Sequence, residues 1–278
     1  MIISRMKEMR ASYLDEICHK ILAPKKGTVN IADVGSKSSR IIADKFTEII
    51  GGAKCGSPPS GQSAGRVFAE VTRDFLKETF ALLHELRPGH WVFQVETPIS
   101  NFDQYKHLSE LEHLSRINRD IAVTLGTDYL VKPDIVVYRK PVPESNLDSK
   151  NELDEFAQYT PLRAKNSTIP ILHASISCKW TMRSDRSQNT RTEALNFIRN
   201  RKGNTPHITA VTAEPLPTRI ASLALGTGDL DCVYHMGLPE LIKAVELSGN
   251  EDQLEMLMVL IDGRRLRDIS DLVFDLAI

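Results

Sequence analysis

Apolar residues recur every three to four positions through residues 4–22 and again through 38–50, the spacing that lays one apolar stripe along a helix. Pro24-Lys25-Lys26-Gly27 ends the first segment and Gly51-Gly52 stops the second. Ser57-Pro58-Pro59-Ser60-Gly61 reads as a loop. Beyond it Phe68, Val71, Phe75 and Phe80, continued by Leu82, Leu83 and Leu86, predict a long core helix that ends at Arg87-Pro88-Gly89. The pattern then shortens. Residues 91–95 and 134–138 are apolar runs of strand length with a polar helix around 103–118 between them, and 141–154, polar with two prolines, reads as an exposed excursion. A buried strand opens at 169–176, and the order continues as helix (about 187–201), strand (206–213), short helix (217–224), strand (230–235) and helices to the end. Strands alternating with helices imply an α/β core of about 88–240, a mixed sheet with helices on its faces, behind a helical N-terminal half in one domain spanning 1–278.

Composition narrows the class. With 278 residues, 41% of them hydrophobic, the chain has ample material for a core, so disorder is excluded. No stretch reaches the roughly 20 apolar residues of a membrane span, and the opening M-I-I-S-R-M-K-E-M-R lacks the apolar run of a secretion signal. The expectation is a cytoplasmic protein. Cys18, Cys55, Cys178 and Cys232 are scattered with no C-x-x-C spacing, which argues for reduced thiols rather than disulfides or structural zinc. His173, on an apolar strand, reads as a core residue, and no histidine is assigned to catalysis.

A net charge of −1 argues against a protein that coats nucleic acid indiscriminately, because such binding is driven by basic excess and counterion release. The distribution is uneven, however. Between Lys179 and Lys202 seven Lys or Arg stand against two acids, a local excess of five that fits a confined electrostatic footprint.

The same region carries the chemistry. Residues 175–186 read S-I-S-C-K-W-T-M-R-S-D-R. Strand alternation puts Ser177 and Lys179 on one face, with Ile176, Cys178 and Trp180 on the other. Pro133-Asp134 sets a carboxylate at the entrance of a strand, where packing has no use for it, and on neighbouring strands Asp134 and Lys179 would meet at their ends. Fourteen residues past Lys179, Glu193 lies on a predicted helix with Ala194, Leu195, Phe197 and Ile198 as its apolar side. Two carboxylates and an ammonium suit metal-assisted phosphodiester hydrolysis, in which acids hold Mg²⁺ and lysine stabilises the attacking hydroxide. Arg183, Asp185 and Arg186 have the donors and acceptor to read G·C pairs in a major groove. Ser184 or Ser187 would cap the helix that follows.

Taken alone, P-D…S-x-K…E is also what a salt-bridged lysine at a strand end would look like. Ser177 with Lys179 as base would make a serine hydrolase, and the reading turn by itself would make a non-catalytic DNA-binding protein. Gly226-Thr227-Gly228 lacks the Lys-Ser/Thr of a P-loop and reads as a turn. Gln62 in a glycine-flanked loop and Arg219 behind Pro215 and Pro217 have hydrogen-bonding ability that the spacing leaves without a set role.

The stretches L-H-A-S-I-S-C-K-W-T-M-R-S-D-R, N-F-I-R-N-R-K-G, T-A-E-P-L-P-T-R-I, A-L-G-T-G-D-L-D-C-V-Y-H and R-L-R-D-I-S-D-L, with T-D-Y-L-V-K-P-D-I-V-V and S-G-Q-S-A-G upstream, resemble the NgoMIV-like type II restriction endonucleases, CCGG cutters of the PD-(D/E)XK superfamily. The resemblance implies a restriction-endonuclease-like α/β core. In this variant serine, Ser177, takes the usual acidic position before x-K, and the catalytic set is completed by Asp134, Lys179 and a displaced Glu193. It implies Mg²⁺ held by Asp134 and Glu193, and cleavage of double-stranded DNA at a CCGG-centred palindrome with 5′ overhangs. Arg183, Asp185 and Arg186 would read the major groove and Gln62 the minor groove, while Arg219, Asp33 and Ser36 would address an outer pair, favouring GCCGGC. Family members work as homotetramers, dimers of dimers on two DNA copies, within restriction-modification systems. The family also has an acid directly after the phenylalanine of the long helix. Here Phe68 is followed by Ala69 and then Glu70, so Glu70 is the candidate for that catalytic acid and would approach the metal site through a local change, since one residue turns a side chain by about 100° around a helix.

Overall fold

Buried Met6, Tyr13, Leu14, Ile17 and Cys18 trace one stripe along helix α1 (Ile2–Lys20), and His19 and Lys20 in its last turn suit the negative end of the helix dipole. The computed structural model describes residues 2–118, 120, 123, 131–147, 156–182, 184–226 and 228–278, with only the backbone of 184–187. Pro24-Lys25-Lys26-Gly27 does more than stop α1. Lys26 and Gly27 both have positive φ (50° and 78°), the twist of a two-residue hairpin turn, and they join strands β1 (Pro24–Lys25) and β2 (Thr28–Val29). Helix α2 (Lys37–Ile49) starts at Ser36, whose side chain accepts from the Ser39 N–H.

The glycine-flanked segment around Gln62, expected as a loop, is the first turn of helix α3 (Gly61–Ala81). Ser60 caps it by accepting from the Ser63 N–H, and this cap offsets the low helix propensity of Gly61 and Gly65. The helix also ends earlier than expected, at Ala81, and residues 82–87 continue as hydrogen-bonded turns.

A six-stranded sheet follows in the order β3-β4-β5-β6-β7-β8. Strand β3 (Trp91–Val95) leads through two 3₁₀ turns to helix α4 (His107–Ile117), a shorter helix than the one expected at 103–118, and then to β4 (Ile135–Arg139). The excursion at 141–154 is described only as far as residue 147. Strand β5 (Ile171–Lys179) is followed by helix α5 (Ser184–Asn200), β6 (His207–Thr212), α6 (Pro217–Ala224), β7 (Cys232–His235), α7 (Leu238–Ser248) and α8 (Glu251–Asp262). The sheet does not stop near 240: where only helices were expected, β8 (Leu266–Asp268) adds an edge strand parallel to β7, ahead of helix α9 (Ile269–Asp275).

The pairs β3–β4 and β4–β5 are antiparallel, whereas β5 through β8 run parallel. The middle strands are buried almost throughout, as a sheet covered on both faces requires. Helix α3 lies over β3 and β5, with Phe68 meeting Trp180 edge-on at 5.4 Å between ring centroids, and α1 packs on α3. No described helix is long and apolar enough to cross a membrane.

Register decides where chemistry can occur. Antiparallel pairing of Ile135 with Ile176 sets Asp134 opposite the Ser177–Lys179 end of β5, and parallel pairing of Lys179 with Thr212 brings the end of β6 alongside. The start of β4 and the carboxyl ends of β3, β5 and β6 therefore share one edge of the sheet. In open α/β sheets ligands bind at that edge.

Candidate active site

Asp134 is held from three sides. Its Oδ2 accepts from the Cys178 N–H at 2.7 Å and faces the Lys179 Nζ at 3.4 Å and the Ser177 Oγ at 3.5 Å. The Cys178 bond is possible because Asp134 precedes the ladder, so a backbone donor of β5 is left for its carboxylate. Ser177 is nearly buried with its hydroxyl toward Asp134, and Lys179 points its ammonium at Asp134 rather than at Ser177. The base–nucleophile contact of a Ser/Lys hydrolase is not formed.

Glu193 reaches the same place from α5. It lines a cleft of about 640 Å³ with Asp134, Lys179, Gln62, Arg66, Ala69, Glu96 and Asn189. Burial pushes the Glu193 carboxyl above the ordinary carboxylate range, with Lys179 opposing and Asp134 adding to the rise. Among the described residues no hydrogen-bond donor is supplied to it. The half-burial of Glu193 follows from α5 turning Ala194 and Phe197 into the core, which carries their neighbour to the cleft.

Two carboxylates with open oxygens beside one ammonium fit a hard divalent cation that takes one or two acid ligands and completes its shell with water and phosphate oxygen. They do not make an all-protein cage, and among the described residues no group of three His, Cys, Asp or Glu side chains does.

The other expected site residues fall into four groups. Gln62 lines the cleft on the same α3 face as Arg66 and Ala69, at the helical spacing i, i+4, i+7. Asp33 and Arg219 form an ion pair, and Arg219 also donates to the Met182 carbonyl at 3.4 Å. Ser36, three residues from Asp33, spends its side-chain oxygen on capping α2. Glu70 is not among the residues that line the cleft with Asp134 and Glu193. It is one position round α3 from the cleft-lining Ala69 and pairs with Arg66 at 3.0 Å. Arg183 and the side chains of Asp185 and Arg186 lie outside the described residues. The backbone there starts α5 at Ser184, three residues earlier than expected, so Asp185 and Arg186 belong to its first turn and not to a preceding loop.

Arg66, Glu96 and Asn189 line the cleft without having been singled out. The signal for Arg66 was available, four residues past Gln62 in a helix. Glu96 gave none: it follows β3 with φ +49°, a conformation fixed in part by its N–H donating to the Asp134 carbonyl at 3.2 Å.

A mixed sheet flanked by helices, with an acid before one central strand and S-x-K ending its neighbour, defines the restriction-endonuclease-like fold class. The family model of the NgoMIV restriction enzyme matches residues 13–278, and the type II restriction enzyme NgoMIV of Neisseria gonorrhoeae is 42% identical over 260 residues, 91% of each chain. The chain belongs to the NgoMIV restriction enzyme family, and is thus a DNA-binding type II site-specific deoxyribonuclease.

Proposed function

We propose that the protein cleaves both strands of DNA at a palindrome centred on CCGG, favouring GCCGGC and leaving 5′ overhangs, with Mg²⁺ as its metal. The observation that carries the cutting half is the convergence of Asp134, Lys179 and Glu193 on one cleft at the sheet edge. Mg²⁺ held by Asp134 and Glu193 would acidify the attacking water and offset charge on the phosphoryl oxygens. Asp134, oriented by the Cys178 N–H, keeps one oxygen turned from its protein donors. Glu193 offers a carboxylate that meets no competing donor among the described residues. Lys179 sets a positive charge beside them, where it stabilises the attacking hydroxide and the negative charge that builds at phosphorus during in-line displacement. Ser177 contributes a hydroxyl toward Asp134, not a nucleophile. Glu70, turned to Arg66, acts outside this group.

The reading half rests on Arg183, Asp185 and Arg186, four to seven residues past Lys179, for the major groove and on Gln62 for the minor groove. The Asp33–Arg219 pair, with Ser36 in the same loop, addresses the outer base pair. A palindrome calls for a two-fold symmetric protein, so the cutting unit is a dimer, and the working assembly a dimer of dimers on two DNA copies. The role fits the cytoplasm of a prokaryotic host beside a methyltransferase of the same specificity.

The test is to digest DNA of known sequence with purified protein and Mg²⁺, with a chelator control, and to map the ends. Staggered 5′ ends at GCCGGC that vanish with chelator are expected. Ends at unrelated sequences, or cutting that survives chelation, would overturn the reading.

A further inference from the structure

The four residues from the lysine of the cleft to Met182, which precedes the base-reading turn, are gripped from the end of the neighbouring strand. At one end the Lys179 carbonyl accepts from the Thr212 hydroxyl at 2.9 Å and from the Ala213 N–H at 3.2 Å. At the other end the Met182 N–H donates to Glu214 Oε2 at 2.8 Å, while the Met182 carbonyl accepts from Arg219. The second oxygen of Glu214 accepts from the Leu216 N–H at 3.2 Å, and the Glu214 N–H donates to the Thr212 hydroxyl at 3.0 Å.

Glu214 has no exposed surface. A carboxylate is an expensive way to satisfy two buried N–H groups, which a neutral acceptor could also meet. Burial, only partly offset by these two N–H groups and Arg219, pushes its pKa to about 7, with Asp33 adding to the rise. His235 of β7, fully buried, is the other titratable group at its backbone. The grip lands on a consequential residue. Arg183 follows Met182 directly, and α5, which carries both Asp185–Arg186 and Glu193, starts one residue later.

We infer that Glu214 is a positioning residue that fixes the base-reading turn and the Glu193 helix against Lys179, so that reading and cutting share one rigid segment; this rests on the proposed function. Its loss would shift both sets of contacts together. Each good base contact discriminates by a factor that a displaced arginine forfeits, on the order of tenfold or more.

The experiment compares the parent enzyme with Glu214→Gln and Thr212→Val on two short duplexes, one with the site that the parent prefers and one with a single base pair of its centre changed. Steady-state kcat and KM are measured for both, with thermal melting of each protein. Glu214→Gln keeps the size of the side chain but turns an amide donor toward one of the two N–H groups. The expected result is a lower kcat on the preferred duplex, a fall on the order of tenfold in the kcat/KM ratio between duplexes, and an unchanged KM on the altered duplex. Thr212→Val, which removes the hydroxyl that donates to the Lys179 carbonyl and accepts from the Glu214 N–H, should move the ratio the same way by less, and it carries the test if Glu214→Gln does not fold. A folded Glu214→Gln enzyme with the parent's ratio and kcat would overturn the inference. A parent without preference for CCGG would instead sink the proposed function, because that is read from the parent alone.

Discussion

Arg10 ties the first helix to the last part of the sheet. Its guanidinium donates to Asp268 at 2.9 and 2.7 Å and to Glu240 at 2.8 and 2.6 Å, with side chains only 16%, 10% and 20% exposed. Arg10→Ala would leave two largely buried carboxylates side by side with no cation, and removing one partner of such a pair costs about 3–5 kcal/mol. Asp268 keeps the Leu238 and Ser270 N–H groups, and Glu240 can regain some water, so about 3 kcal/mol is the appropriate figure. For a chain of this size that lowers the melting temperature by roughly 5 °C. The pH dependence has a definite sign. Burial alone would raise both carboxyls, but the hydrogen bonds and charge of Arg10 outweigh it and hold Asp268 and Glu240 below their ordinary values. Groups lowered in the folded state stabilise above their unfolded pKa, about 4, and lose that contribution as pH falls through the folded one. The gap in melting temperature between parent and variant should therefore be widest near neutrality and close toward acid. Calorimetry or dichroism across the pH range checks it. A variant that melts with the parent near neutrality, or a gap that widens in acid, would refute the reasoning. Arg10 does not line the cleft, so well below the melt the variant's cleavage rate should stay near the parent's.

Two further outcomes follow from the packing around the cleft. Glu70→Ala breaks only a surface ion pair worth about 0–1 kcal/mol, so its single-turnover cleavage should stay within roughly threefold of the parent's; a hundredfold loss would put that carboxylate among the reacting groups. Phe68→Ala removes a fully buried ring from Trp180, next to Lys179, and should cost about 3–5 kcal/mol in denaturant unfolding as well as slowing cleavage; a change under about 1 kcal/mol would contradict the packing described.

Much of this was legible because the signals were local. The alternation in S-I-S-C-K puts Ser177 and Lys179 on one face whatever else the sheet does, and Pro133-Asp134 marks the start of β4 without help. Short elements without a pattern of their own were not. β8 is Leu-Arg-Asp, three residues that become a strand only because β7 presents a free edge. The β1–β2 hairpin has two residues per strand, too few for any periodicity. The start of α3 was hidden by Gly61 and Gly65, which read as loop until the Ser60 cap is seen. The family spacing after Phe68 pointed toward an acid in the cleft, yet helix rotation brings Ala69 there and turns Glu70 to Arg66. Glu214 gave no sign, since its partner Met182 is 32 residues away and is met only through strand pairing.

The most direct measurement is single-turnover cleavage of a GCCGGC duplex with Mg²⁺ by Asp134→Ala, Lys179→Ala, Glu193→Ala and the Asp134→Ala/Glu193→Ala double variant, with duplex binding followed in parallel. If the three side chains act as one unit, each single variant binds the duplex but loses on the order of a hundredfold or more in rate, and the double variant is little worse than either single. Parental cleavage by any of the three, or losses that simply multiply in the double variant, would contradict the shared site.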